Sequence, residues 1–186
     1  MAAKPLPDQA ILLKLLCYDP ETGNLYWRER TAADCSANRF PDRAANAFNA
    51  QFAGKEAFTA KEGGGYHHSL IRGTSYKAHR IIWKMVYGED PNEIDHANGD
   101  RADNRLCNLR NVTRTQNNRN ARRRRDNVSG ATGVCWHEAT GKWAASVSLD
   151  GDKVHLGLYS SRESAINARA KAAERYGFDP NHGRDA

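Results

Sequence analysis

Apolar positions along the chain alternate between helical and strand spacing. Ile11, Leu12, Leu15 and Leu16 share one side of a short amphipathic helix predicted over residues 7–16. Tyr18 to Trp27 then reads as two short strands around a turn built on Pro20 and Gly23. Residues 30–60 are rich in Ala and Asn with weak periodicity, and the pattern assigns them no element. Residues 65–71 and 74–77 alternate as a hairpin about Arg72-Gly73. Ile81, Ile82, Met85 and Val86 mark a helix over 78–87 that Gly88 ends. A strand over 92–96, a polar loop over 97–104 and a strand over 106–112 follow. Thr113-Arg114-Thr115-Gln116 has the form of a capping box, predicting a helix that starts there and runs into an arginine cluster. Three strands over 133–136, 142–149 and 153–159, with an Asp150-Gly151 turn, precede a helix opened by a Ser160-x-x-Glu163 box. Ala165, Ala168, Ala172 and Tyr176 fall near one face of that helix, and Gly177 stops it.

Charge sharpens this picture. The net charge is +6, and seven arginines lie between Arg110 and Arg125, ending in Arg122-Arg123-Arg124-Arg125. Asn127-Val128-Ser129-Gly130 after the run reads as a linker. The expected organisation is an N-terminal region and catalytic domain over 1–126, a linker over 127–131 and a second domain over 132–178. The four cysteines, Cys17, Cys35, Cys107 and Cys135, stand singly, which argues against structural zinc and a disulfide framework. They are expected as small buried or neutral residues in a reducing cytoplasm. No run of 18 apolar residues is present, so no membrane span is predicted. Met1 to Pro7 carries no signal-type cleavage site, so no export is expected.

Candidate chemistry gathers where strand, loop, strand and helix follow one another. Asp95 and His96 end the first strand, Asn108 lies on the second, and Asn117 falls in the first turn of the helix. Oxygen ligands from Asp95 and Asn117 suit a hard divalent cation. His96, titrating near neutrality, is suited to deprotonate an attacking water.

Residues 95–100, Asp103-Asn104-Arg105, Asn108-Leu109-Arg110, Val112-Thr113 and Gln116-Asn117-Asn118 with Asn120 resemble the core of the HNH endonucleases. The likeness is to the phage and group I intron homing type, with support from Ala78 to Trp83 and Tyr87-Gly88. It covers about residues 18–120. The resemblance implies an α+β fold with a ββα-metal core over about 92–125. It implies His96 as general base, Asp95 as metal ligand, Asn108 as the brace of the loop that orients His96, and Asn117 as second ligand where many relatives have His. It also implies one divalent metal, Mg²⁺ or else Mn²⁺, and nicking of double-stranded DNA by a monomer in the cytoplasm of a phage or intron host. Arg105 is expected to hold the loop through Asp100 or Asp103, His79 to pack, and His67 and His68 to lie on the surface. The alternative is a non-catalytic DNA-binding regulator on a nuclease-like scaffold.

The arginine segment (Arg114, Arg119, Arg122, Arg123, Arg124, Arg125) is expected to neutralise DNA phosphates. Residues 132–177 resemble the Apetala/ethylene-response-factor DNA-binding domain, a three-stranded sheet with one helix, through Gly141-Lys142-Trp143 and Leu156-Gly157-Leu158-Tyr159. The likeness implies a DNA-facing sheet surface with Cys135, His137, Lys142, Ser146, Ser148, Lys153 and His155. Trp136 and Trp143 are expected to pack.

Overall fold

The computed structural model describes residues 4–121, 123–149, 151–180 and 182–183. The chain divides into two compact units, Met1–Asn111 and Val112–Ala186.

The N-terminal unit begins with α1 (Gln9–Leu15), β1 (Leu16–Tyr18) and β2 (Leu25–Trp27). Residues 30–60, which the pattern left unassigned, hold a 3-10 turn at Ala32–Cys35, α2 (Pro41–Phe52), β3 (Glu56–Ala57) and the start of β4 (Ala60–Lys61). Helix α2 buries only Ala45 fully, which is why its periodicity was weak. Then come β5 (His67–Ile71), β6 (Thr74–Lys77), α3 (Ala78–Tyr87), β7 (Glu93–His96) and β8 (Leu109–Val112). Sheets of order β1-β2-β3 and β4-β5-β6 accompany a β7-β8 pair. The β5–β6 turn puts Arg72 at φ 49° and Gly73 at φ 77°, the left-handed pair of a two-residue hairpin. Helix α3 ends with Gly88 at φ 76°, its N–H bonded to Lys84 O. Leu12, Leu16, Leu25, Ile81 and Ile82 form the floor of one core, against which Ile94 and Leu109 seat β7 and β8.

In the C-terminal unit the capping box closes α4 (Arg114–Asn118): Gln116 N donates to Thr113 Oγ1 and Thr113 N to Gln116 Oε1. The helix stops there and does not run into the arginines. Asn117, Asn118 and Asn120 are poor helix formers that compete for backbone partners. The segment is instead tied down by Asp179 N to Arg119 O and Gly183 N to Ala121 O. Those bonds tie the segment after α4 to the end of the C-terminal unit. The domain itself has β9 (Val134–His137), β10 (Lys142–Leu149), β11 (Asp152–Tyr159) and α5 (Arg162–Arg175). The sheet is antiparallel in the order β11-β10-β9, with Leu149 paired to Asp152 beside Gly151; Asp150 lies outside the described residues. Val134, Ala145 and Ala165 centre its small core. The expected Ser160–Glu163 box does not form. The N-cap is Ser161, whose Oγ accepts from Ser164 N, because the helix begins one residue later.

The four cysteines are free: Cys35 is buried, and Cys17, Cys107 and Cys135 are exposed.

Candidate functional site

Three consecutive residues of β7, Ile94, Asp95 and His96, are buried. A half-exposed strand would alternate. Ile94 enters the apolar core, whereas the two polar side chains are enclosed by other polar groups. Asp95 Oδ2 accepts from Arg110 Nη2 at 2.6 Å, so a guanidinium offsets its burial. His96 is 3% exposed, and its Nε2 lies 3.4 Å from Asn104 Oδ1. Its ring meets His79 edge-on at 5.2 Å between centroids and Tyr66 at 5.8 Å. Burial pushes the His96 pKa below the ordinary imidazole value, against the Asn104 contact and the Asp95, Asp100 and Asp103 carboxylates, which raise it. His79 is held well below that value by burial and by the His96 ring beside it. The pocket therefore favours a neutral imidazole at position 96, the form that accepts a proton.

The loop after β7 is cross-braced. Asn108 is buried, and both ends of its amide are spent on the loop: Oδ1 accepts from Asn98 N at 2.9 Å and Nδ2 donates to Asp103 O at 2.8 Å. Its own carbonyl accepts from Ala97 N. It sits in a 3-10 turn (Leu106–Asn108) just ahead of β8 rather than on the strand as expected. It braces the loop, while the side chain in contact with the His96 ring is Asn104. Arg105 grips Asp103 with two bonds, Nε to Oδ1 at 2.8 Å and Nη2 to Oδ2 at 2.7 Å, and that pairing lowers the Asp103 pKa to about 2. Asp103, not Asp100, is thus the partner of Arg105.

Behind the loop stands the β1–β2 hairpin. Tyr18 donates its hydroxyl to Asn104 O at 3.0 Å. Gly23, at φ +78°, lies so close that a Cβ there would meet Arg105 N at 2.6 Å and Asn104 C at 2.8 Å. In front, Tyr66 carries Lys77 at 4.3 Å and Arg101 at 4.9 Å on its ring.

Motif reading missed Arg110, Tyr66, Asn104, Tyr18 and Gly23. Asn104 and Arg110 were inside recognised motifs without a role; Tyr18, Gly23 and Tyr66 act across long separations that leave no local trace. His79 packs as expected, but directly on His96. His67 and His68 lie half-buried on β5.

Asn117 is a half-buried residue of α4 in the C-terminal unit. Arg114, Arg124 and Arg125 are exposed there. Arg124 forms a two-bond pair with Asp126. Arg119 and Arg123 are half-buried: Arg119 lies 5.7 Å over Phe178, and Arg123 donates to Gly130 O. Arg122 lies outside the described residues.

On the sheet, Lys142 pairs with His137, Ala144 with Cys135, Ser146 with His155 and Ser148 with Lys153. Cys135, His137, Lys142, Ser148, Lys153 and His155 are exposed, whereas Ser146 is buried with its hydroxyl donating to Gly133 O. Of the expected DNA-facing set Ser146 is the buried member, its backbone N–H also donating to Gly133 O. Trp136 and Trp143 form a cross-strand pair, edge to face at 5.3 Å, with Trp136 exposed and Trp143 half-buried.

The donor set can be tested against a divalent ion. Among the described residues no group of three His, Cys, Asp or Glu side chains converges. The donors that this pocket offers to a divalent ion are the Asp95 carboxylate, held by Arg110, and the His96 imidazole.

Residues 76–119 match the sequence model of the HNH endonuclease family. That segment runs from β6 past the end of α4 and includes Asp95, His96, Asn108 and Asn117. The class it supports is a nuclease, a hydrolase acting on DNA. No curated protein and no solved structure matches the chain. No helix among the described residues is long and apolar enough to cross a membrane.

Proposed function

We propose that the chain is a metal-dependent DNA endonuclease of the homing type that nicks duplex DNA through a ββα-metal core. The observation that carries the reading is His96: a buried imidazole biased to its neutral form, next to a buried carboxylate, on a loop locked by Asn108.

In this reading His96 takes a proton from the attacking water, the general-base step. Asp95 holds the divalent ion, with Asn117 as the second protein ligand that the family resemblance assigns. When bound, that ion neutralises charge on the scissile phosphate and the leaving 3′-oxygen. Asn108 touches no reacting atom; it is a positioning residue that fixes the loop from Ala97 to Asp103. Arg110 holds the Asp95 carboxylate in place and balances its charge. Arg114, Arg124 and Arg125 supply non-specific phosphate contacts, which set affinity but read no sequence. The sheet of the C-terminal unit offers His137, Lys142, Ser148, Lys153 and His155 as a second grip, of the Apetala/ethylene-response-factor kind. Its small and singly charged side chains lack the bidentate arginines of direct base readout. One such site per chain, acting as a monomer, cuts one strand.

The test is plasmid nicking with Mg²⁺ or EDTA. His96→Ala is expected to abolish cleavage while duplex binding persists, and full activity in that variant overturns the assignment. Equal behaviour of the wild type with Mg²⁺ and EDTA, binding without nicking, identifies a regulator instead.

A further inference from the structure

Arg169 lies midway along α5, on the face that carries Ala165 and Ala172 inward, and it is 6% exposed. Its surroundings leave the charge without compensation. Among the described residues it makes no ion pair and no hydrogen bond, and its Nε is buried without an acceptor. Its described contact is the Phe178 ring, 4.7 Å from the guanidinium carbon. Burial lowers its pKa and no carboxylate acts on it, although Glu174 and Asp179 line part of the same space. Removing a guanidinium from water without a counter-charge is costly, and an apolar side chain would pack there without that cost.

The guanidinium does not face solid protein. Two cavities of about 540 and 450 Å³ both have Thr132, Arg169, Phe178 and His182 in their walls. Thr132 Oγ1 is a second buried polar atom without a partner. Gly133 lets the backbone close against the arginine: at its φ of +78° a Cβ would meet Arg169 Nε at 2.9 Å. Arg119 and Ser148 also line the smaller cavity, giving it a basic, hydroxyl-bearing wall, and among the described residues no carboxylate lines it. A buried cation and a buried hydroxyl without a partner among the described residues, both on residues that line these cavities, are the parts of an oxyanion site.

We propose that this pocket binds a phosphate group, with the Arg169 guanidinium as counter-charge and the Thr132 hydroxyl as second donor. The phosphate comes either from the DNA backbone or from a free phosphate or nucleotide. Arg169 and Thr132 belong to the C-terminal unit, whereas His96 and Asp95 belong to the N-terminal unit, so the two sites are tested through different residues.

The experiment uses the full chain in metal-free buffer, so no readout depends on cleavage. Inorganic phosphate is titrated by calorimetry and thermal unfolding, and a short duplex by fluorescence anisotropy across a salt series. Wild-type protein is expected to gain several degrees in Tm with saturating phosphate, and Arg169→Met to lose that gain while being at least as stable in its absence. Thr132→Val, which keeps the charge, is expected to weaken phosphate binding several-fold, and Arg169→Lys to weaken it by loss of the fork. These two variants decide the matter if Arg169→Met does not fold. Weaker duplex binding by Arg169→Met, with the salt slope reduced by about one, assigns the phosphate to DNA. Loss of the phosphate effect with unchanged duplex binding assigns it to a free ligand. The proposal is overturned if phosphate and duplex act equally on wild type and on the Arg169 variants. Such a failure leaves the His96 assignment untouched, because that assignment is read from nicking.

Discussion

Asn108→Ala separates a positioning role from a merely structural one. The substitution deletes two hydrogen bonds, at 2.9 and 2.8 Å, that pin Asn98 N and Asp103 O from the inside of the loop. A buried partner left unsatisfied costs about 1–3 kcal/mol. Asn98 is exposed and Asp103 half-buried, so both backbone groups regain water once the loop opens. The loss therefore belongs at the low end, about 2 kcal/mol in all. Tm is expected to fall by roughly 5–10 °C in calorimetry. The effect on cleavage is larger, because the same loop carries Asn104, which contacts His96, and misplacement by about 1 Å costs on the order of 10²-fold. Single-turnover nicking of supercoiled plasmid should thus drop about 100-fold, with duplex affinity in EDTA unchanged. Asn108→Asp keeps the acceptor for Asn98 N but loses the donor to Asp103 O, and should fall between. A wild-type nicking rate at a lowered Tm would refute the positioning argument, and a wild-type Tm would refute the bonds themselves.

Stability should fall on acidification through His79. Its folded pKa is depressed, so the unfolded chain binds the extra proton: the contribution is complete above the unfolded value near 6.5 and declines as pH drops below it. Tm measured between pH 7.5 and 5 should show this slope, and His79→Phe should flatten it. Gly23→Ala is expected to cost more than the ~1 kcal/mol of left-handed backbone, since its Cβ meets main chain of the loop, and to reduce nicking without touching the motif. Replacing Arg124 and Arg125 together by Gln should lower the slope of log K against log salt by up to about two in anisotropy titrations, uniformly across duplex sequences.

Much of this architecture was legible in the residues because its signals are local. The 71–74 turn, the Gly88 cap, the Thr113–Gln116 box and the strands of the C-terminal sheet each depend on spacing or on a backbone angle that few residues adopt. The motif likewise pointed to Asp95, His96 and Asn108, all three of which the fold buries. Helix α2 was illegible because Ala and Asn give it little amphipathic contrast. The arginine run invited a longer α4, but three asparagines end the helix before the run begins. Ser146 alternated correctly with its exposed neighbours; its burial depends on Gly133, thirteen residues earlier. The walls of the His96 pocket come from residues 18 to 110, and distances that long are set by tertiary packing alone.

The contact between Tyr18 and Asn104 spans 86 residues and ties a residue outside the 76–119 match to one inside it. Excising the matched segment would remove the hairpin against which its own loop rests. The smallest working fragment should therefore begin ahead of residue 18. Contacts this distant in sequence close late, after the intervening chain has collapsed. Completion of the His96 loop is consequently a report on the folding of the whole N-terminal unit: a chain clipped within its first two strands keeps every motif residue and loses the wall behind them.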